Sequence, residues 1–462
     1  MRSSWGSGSP GGWPSEPLQE VALTKRICVI GTGYAGLANA ACLADLGNGV
    51  IGVDRDQAKI EQLNHGVLPI YEPGLAEIVR RNIQAGRLVF STSYDEGMQD
   101  AELVFVCVGT PSGVEGETDL ADVEQAAIEV AKRIHQPVVI VNRSTVPIGT
   151  GDWMSDIIRD HLQSPDTPFT MVSNPEFLRE GSAVYDWMHP DRIVLGTTDP
   201  PAAEKVSQLY RSLGAELIIT DPRTAEMIKY AANAFLASKI SFINEIANIC
   251  EALGADVRTV AHGMGTDQRI SPHFLEAGIG WGGSCFPKDV KALAYIAAVH
   301  GQHPQMLRAV MEINTDQRKR AVTKVREILG GFRGKVIGVW GLTFKPNTDD
   351  LRDAPSISII HMLQNEGAIV RAYDPVAMDK ARNMLPRIVY CDSPYSAAED
   401  ADAVFLVTEW NEFKQLDMAR VRDLMRRPIL LDGRNVYDPQ RMREMGFIYR
   451  GMGRGYSGES LR

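Results

Sequence analysis

The chain is poor in cysteine, and its cysteines form no CxxC pair and no regular spacing. Six in 462 residues, at Cys28, Cys42, Cys107, Cys250, Cys285 and Cys391, give neither a disulfide framework nor a structural zinc site. Long apolar runs are missing too: nothing approaches the roughly 20 residues needed to span a bilayer. There is also no basic stripe. The net charge is −10 and the acidic residues are dispersed, which excludes the footprint of a nucleic-acid binder. An acidic chain can still take an anionic ligand through local Lys, Arg and helix N-termini. These absences predict a soluble protein of a reducing cytoplasm, with no metal, nucleic-acid or membrane partner.

The opening residues, MRSSWGSGSPGGWPSEPLQE, are rich in Gly, Ser and Pro and lack the apolar core of a signal peptide. They read as a disordered tail over residues 1–23. From Arg26 the texture changes. RICVIG, GVIGVD, RLVFSTS, AELVFVCVG and PVVIVNRS read as buried strands, with helical sequence between them. Continuous apolar strands alternating with helices predict a parallel, doubly wound α/β sheet. FTMVSN, DRIVLGT and ELIITD extend this domain over 24–219.

Pro222 through Leu253 then runs without an interior Gly or Pro. Pro222 suits a first helical turn and Gly254 an exit, so one helix about 45 Å long is expected. Further helical sequence fills a middle domain over 220–332. At Gly334 the alternation resumes with KVIGVWG, IVRAYDP, ADAVFLVTEW and PILLDGRN, predicting a second, smaller α/β domain over 333–462. Two Rossmann-like units joined by a long helix and a helical domain place a ligand pair in the cleft between them.

The first strand runs into GTGYAG, with Gly31, Gly33 and Gly36 in the G-x-G-x-x-G spacing. The first glycine permits the tight turn, the second admits a pyrophosphate, and the third lets helix and strand pack closely. The hexapeptide alone is a weak signal. Here it sits between a strand and a helix, and the next strand ends in Asp54. An acidic residue there bonds an adenosine ribose diol and repels a 2′-phosphate, which favours NAD over NADP, although Arg55 follows directly. VGTPSG and RSTVPIGT follow later strands, placing Thr110 and Thr145 where cofactor and substrate should meet; Pro and Gly in these loops also serve turns.

GWGGSCFPKD, from Gly280 to Asp289, carries the most pointed question. Cys285 is either a small residue in a turn or a nucleophile. Gly282, Gly283 and Ser284 remove bulk around it, Lys288 offers a positive charge, and a helix starting near Pro287 offers its positive end. Cys28, Cys42, Cys107 and Cys250 sit in strand-like or helix-like apolar runs and read as core. Lys229 and Asn233 are four apart on the long helix and share a face; Glu176 and Glu180 in NPEFLREG are also four apart. Each pair also fits a solvated surface. A thiolate beside a nicotinamide would capture an aldehyde and pass through a thioester to an acid, a four-electron oxidation.

YEPGL, STVPIGT, SNPEFLREGSA, KYAANAFLASKISFINE, GGSCFPKD, GLTFKPNTDDLRDAPS and LLDGRN, taken in order, resemble the UDP-glucose/GDP-mannose dehydrogenase family, and its UDP-glucose branch most closely. The resemblance covers nearly the whole chain after the first twenty-odd residues. It implies NAD as cofactor, a sugar nucleotide as substrate and a homodimer through the long helix. Cys285 corresponds to the catalytic nucleophile, and Lys229 with Asn233 to the pair that steadies developing oxyanions. Asp289 is implied to organise a proton-transferring water with Thr145, and Glu176 to activate the hydrolytic water. Cofactor contacts are implied for Gly31, Gly33, Gly36, Asp54, Lys59, Thr110, Thr145, Glu180, Lys288 and Arg352. On the substrate side the resemblance implies the segment Glu176, Phe177, Leu178, Arg179 and Glu180, with Lys229 and Asn233. The loop Phe274, Leu275, Glu276, Ala277 and Gly278, with Gly282, is implied to close over the sugar. Lys345 and Arg434 are implied from the second α/β domain, and Arg269 is implied to reach the neighbouring subunit's substrate. Trp281 and Glu276 depart from the usual residues and are read as flanking the sugar-nucleotide pocket. A serine and lysine in GGSCFPKD favour a glucose-type sugar over N-acetylated ones. GDP-mannose or dTDP-glucose as substrate, a two-electron hydroxyacid-type dehydrogenase and a non-catalytic binding protein are the competing readings.

Overall fold

The computed structural model describes residues 25–454, so the tail expected over 1–23 lies outside the described residues. Eight strands form the first sheet: β1 (Arg26–Ile30), β2 (Gly49–Val53), β3 (Leu88–Ser91), β4 (Leu103–Val106), β5 (Val138–Asn142), β6 (Phe169–Ser173), β7 (Arg192–Gly196) and β8 (Glu216–Thr220). Their order is β3-β2-β1-β4-β5-β6-β7-β8. Strands β1 to β6 run parallel, and β1 and β4 are buried nearly throughout because helices cover both faces. The sheet is not parallel to its end: β7 meets β6 in antiparallel fashion, and β8 follows β7.

The second sheet holds β9 (Val336–Trp340), β10 (Ile369–Tyr373), β11 (Val389–Tyr390), β12 (Ala403–Leu406), β13 (Ile429–Asp432) and β14 (Ile448–Gly451). All neighbours are parallel, in the order β11-β10-β9-β12-β13-β14. The order reverses beside β1 in one sheet and beside β9 in the other. Both are switch points where loops diverge and leave a crevice at the carboxyl ends of the strands.

Between the sheets runs the helix Pro222–Leu253. Asp221 caps it by accepting from the Thr224 amide, Pro222 takes the first turn, and Gly254 closes it at φ +75. The helices Phe286–Val299 and Gln305–Leu329 pack along it. Among the described residues no helix is long and apolar enough to cross a membrane.

Candidate active site

The glycine turn after β1 is built for close approach. Gly31 has φ +91, and a Cβ there would fall 2.6 Å from the Cys107 carbonyl oxygen. A Cβ on Gly36 would lie 1.9 Å from the Gly31 carbonyl oxygen, so the helix Tyr34–Asp45 packs on the turn only without one. Gly33 faces open space, the room a pyrophosphate needs. Asp54, just past β2, accepts from the Thr32 amide (2.9 Å), the Thr32 hydroxyl (2.8 Å) and the Lys59 ammonium (2.8 Å). Burial pushes its carboxyl up, but the Lys59 and Thr32 bonds outweigh that and hold it below the usual carboxylate range. An ionised carboxylate beside this turn fits a ribose diol. Arg55 is turned away onto Asp122, at 2.8 Å. Thr110 is buried and donates to the Thr145 carbonyl at 2.8 Å, tying two crevice loops together.

The two residue pairs that also suited a solvated surface are buried instead. Lys229 is 3% exposed, and Asn233, Glu176 and Glu180 are all below 10%. The loop after β6 brings Glu176 onto Lys229, with an ammonium–carboxylate distance of 2.8 Å. The Leu178 amide donates to the other Glu176 oxygen at 2.6 Å. Burial disfavours both charges, yet each stabilises the other: Glu176 lies below its ordinary range and Lys229 above. Phe177 stacks under Arg192, and the Arg179 guanidinium pairs with Asp186, outside this buried cluster. Asn233 donates to Asp289 at 2.6 Å, and Lys288 donates to the second Asp289 oxygen at 2.6 Å.

Cys285 occupies the N-cap position of the helix Phe286–Val299, which starts near Pro287 as expected. Burial pushes its thiol up to about 11, opposed chiefly by the positive charge of Lys229. The leading cation at the sulfur is Lys229, whereas Lys288, which the sequence offered for that part, is paired with Asp289. Cys28, Cys42, Cys107, Cys250 and Cys391 are all buried.

The glycines of the cysteine loop serve a contact that the sequence did not show. A Cβ on Gly282 would sit 2.2 Å from the Asp353 carbonyl oxygen, and one on Gly283 would strike the Phe344 ring at 2.7 Å. The Gly283 amide donates to the Arg352 carbonyl at 2.9 Å. The loop after β9 thus presses directly on the cysteine loop. That β9 loop carries Lys345 and Arg352. Burial lowers Lys345, against the negative potential of Glu180. Arg434 is anchored by the Val407, Gly280 and Phe344 carbonyls, at 2.8, 3.0 and 3.3 Å, so it braces three loops.

In the 274–278 segment, Phe274 adopts φ +65, Leu275 and Ala277 are buried, and Glu276 is exposed. Gly278 lies against the Gly433 carbonyl. Arg269 stands exposed with its guanidinium on Asp267, apart from the buried cluster. The Trp281 side chain is buried against the long helix. It is 7% exposed, packs on Ala234, Ala237 and Val310, and donates to the Ser241 hydroxyl at 3.0 Å.

Sequence reasoning passed over three supporting groups. Glu226 accepts from the Gly149 and Gly151 amides at 2.6 and 2.9 Å, fixing the loop of Thr145 to the helix of Lys229. Its spacing of three before Lys229 and seven before Asn233 was a legible signal. Glu72 accepts from the Gly181 and Ala183 amides at 2.7 and 2.8 Å and so holds the end of the Glu176–Glu180 loop. Burial pushes Glu72 up to about 7. Ser284 donates to Glu180, a link across 104 positions that no local pattern announces.

A dinucleotide turn at one switch point, facing a buried thiol and ammonium beneath a second Rossmann-like sheet, defines an NAD-dependent oxidoreductase. Comparison with known proteins narrows the class. Residues 25–214 match the NAD binding domain of the UDP-glucose/GDP-mannose dehydrogenase family, 223–316 its central domain and 338–439 its UDP binding domain. The chain belongs to that family. It is 47% identical to a UDP-glucose 6-dehydrogenase of Pseudomonas aeruginosa, over 94% of this chain and 98% of that protein. It is also 47% identical to a UDP-glucose 6-dehydrogenase of Bacillus subtilis, over 93% and 98%. A UDP-glucose dehydrogenase structure from Pyrobaculum islandicum superposes with a TM-score of 0.88 at 37% identity, covering 95% of this chain and all of that one.

Proposed function

We propose that the protein oxidises UDP-glucose to UDP-glucuronate, using two NAD and one water per turnover and Cys285 as a covalent catalyst. The observation that carries this reading is the buried constellation around the cysteine: Lys229 with Glu176 on one side and Asn233 with Asp289 on the other. A two-electron alcohol dehydrogenase has no use for a desolvated thiol in that position. The UDP binding domain match and the relatives named UDP-glucose 6-dehydrogenase support the substrate.

Bound NAD supplies the acceptor for two electrons in each of two rounds. The chain does the rest. Gly31, Gly33, Gly36, Asp54 and Lys59 hold the dinucleotide, with Thr110, Thr145, Glu180, Lys288 and Arg352 on its crevice side. The sugar nucleotide lies under Lys345, Arg434 and the 274–278 segment. Lys229 and Asn233 meet the substrate oxygen as it gains negative charge, which a preformed buried ammonium and amide do without reorganisation. The Cys285 sulfur adds to the aldehyde carbon; the resulting alkoxide oxygen faces Lys229, and loss of the second electron pair leaves a thioester on Cys285. Water, activated by Glu176, then attacks the acyl carbon, and the sulfur leaves and regains a proton. Asp289, held by Asn233 and Lys288, orders a proton-transferring water with Thr145.

The long helix supports dimerisation. Phe235, Phe242 and Ile249 are exposed at seven-residue spacing along it, an apolar seam that a second copy would cover. An exposed Arg269 suits a residue that serves the neighbouring subunit. Six unpaired cysteines fit a reducing cytoplasm. The working division is a cofactor domain to about residue 219, a helical domain to about 332 and a substrate domain beyond.

Initial rates with UDP-glucose, dTDP-glucose, GDP-mannose and UDP-N-acetylglucosamine, each with NAD and NADP, test the substrate. UDP-glucose with NAD should give the highest kcat/KM; a higher value for any other pair overturns the assignment.

A further inference from the structure

The thiol needs a base, because burial keeps it protonated at neutral pH. The groups nearest to it in charge are poor acceptors. Lys229 is already an ammonium, and that ammonium weakens Glu176 as a base and keeps it engaged, leaving it for the later hydrolytic water. The Asp289 carboxylate takes Asn233 and Lys288, and the side-chain hydrogen-bond partner of the sulfur is Ser284.

A different path leaves the sulfur. The Ser284 hydroxyl lies 3.4 Å from Cys285 Sγ and 2.6 Å from Glu180 Oε1. A serine has one hydroxyl proton, and the short contact commits it to the carboxylate. Its lone pairs therefore face the thiol, and the chain S–H···O–H···O runs in one direction. Glu180 is 7% exposed, so its proton does not scatter into bulk water during the step.

We propose that Ser284 and Glu180 are the proton path of Cys285: as the sulfur attacks the aldehyde, its proton passes to the Ser284 oxygen while the Ser284 proton passes to Glu180. The S–H bond and the Ser O–H bond break, a new Ser O–H, a Glu180 O–H and a carbon–sulfur bond form, and the carbonyl π pair becomes the alkoxide beside Lys229. This rests on the reading of Cys285 as nucleophile. No external oxidant or reductant enters the step.

The strength of this base is set from the other α/β domain. Burial first, then the negative charge of Asp350, push Glu180 up to about 7, against the Ser284 bond and the positive charge of Arg352. Arg352 Nη2 lies 3.3 Å from Glu180, the Thr348 hydroxyl 3.5 Å away, and Lys345 adds positive potential. All four come from the loop after β9. The acceptor is tuned only when that loop lies on the cysteine loop, which couples base strength to docking of the second domain.

Two variants test the path, Ser284→Ala and Glu180→Gln. In rapid mixing with UDP-glucose and NAD, Ser284→Ala should form the first NADH at the wild-type rate and slow the second at least tenfold, within the ~10²–10⁴ of general-base catalysis. Free aldehyde should then be trapped by a hydrazine. The second phase of the wild type should fall as pH drops through about 7, where Glu180 takes up its proton, and Ser284→Ala should lose that dependence. In the ligand-free protein, iodoacetamide alkylation of Cys285 should slow in both Ser284→Ala and Glu180→Gln. Simple removal of a repelling carboxylate would speed it instead. An unchanged second phase in Ser284→Ala, or unchanged or faster alkylation in Glu180→Gln, overturns the path while Cys285 stands. Two NADH per sugar from Cys285→Ser would overturn the nucleophile itself.

Discussion

Lys229 and Glu176 show how one contact serves stability and chemistry together. Each is nearly fully buried, and each ion is tolerable only beside the other. Replacing Lys229 by Met leaves the Glu176 carboxylate buried without its counter-charge, with only the Leu178 amide on it, a change that costs about 3–5 kcal/mol. Urea unfolding of Lys229→Met should show that loss, and the double variant with Glu176→Gln should recover much of it while remaining inactive. The pH sign follows from the shifts. Glu176 lies below its ordinary range, so its contribution is present above that range and lost as pH falls through it. Lys229 lies above its ordinary value, so its contribution is full at neutral pH and fades only in strong alkali. The pair should hold across the neutral range and fail first in acid. From the sequence, spacing put Lys229 and Asn233 on one face but could not say whether that face met water. Burial decided it, and burial is a property of what packs there.

At the scale of elements, legibility tracked local chemistry. The long helix was readable from end to end because Pro222, an unbroken interior and Gly254 are all local signals. The glycine turn after β1 was readable because the spacing itself is the geometry. The cysteine loop was readable only in part. Its glycines looked like space for a ligand, whereas Gly282 and Gly283 are flush against Asp353 and Phe344, some sixty to seventy residues away in sequence. Gly282→Ala should therefore push the two loops apart and abolish turnover, with NAD affinity measured by fluorescence largely kept. The packing of Trp281 was hidden for the same reason: its indole wedges against the long helix, which no local pattern announces. The apolar seam of that helix gives a further expectation. Phe242→Glu should convert a dimer to monomers in sedimentation, because an unpaired charge at the centre of an apolar interface is strongly disfavoured.

The whole molecule explains why two Rossmann-like units are joined this way. Each sheet presents the carboxyl ends of its strands, and its switch-point loops, to one crevice, and the long helix sets their separation. The β9 loop crosses that crevice, reaching Gly181 through Asn347 and the Tyr71 amide through Asp349, which Lys380 also grips at 2.5 Å. The alternation of strands and helices announced both sheets, but not the reversal at β7 or this docking, since contacts between distant segments leave no periodic trace. The central claim is that Cys285 turns one crevice into a four-electron site. The most direct measurement counts NADH per sugar consumed in wild type and Cys285→Ser, with the acid product quantified. Two NADH and one acid from the wild type, and no more than one NADH with no acid from Cys285→Ser, are the results predicted here. Two NADH and free acid from Cys285→Ser at the wild-type rate would contradict the account.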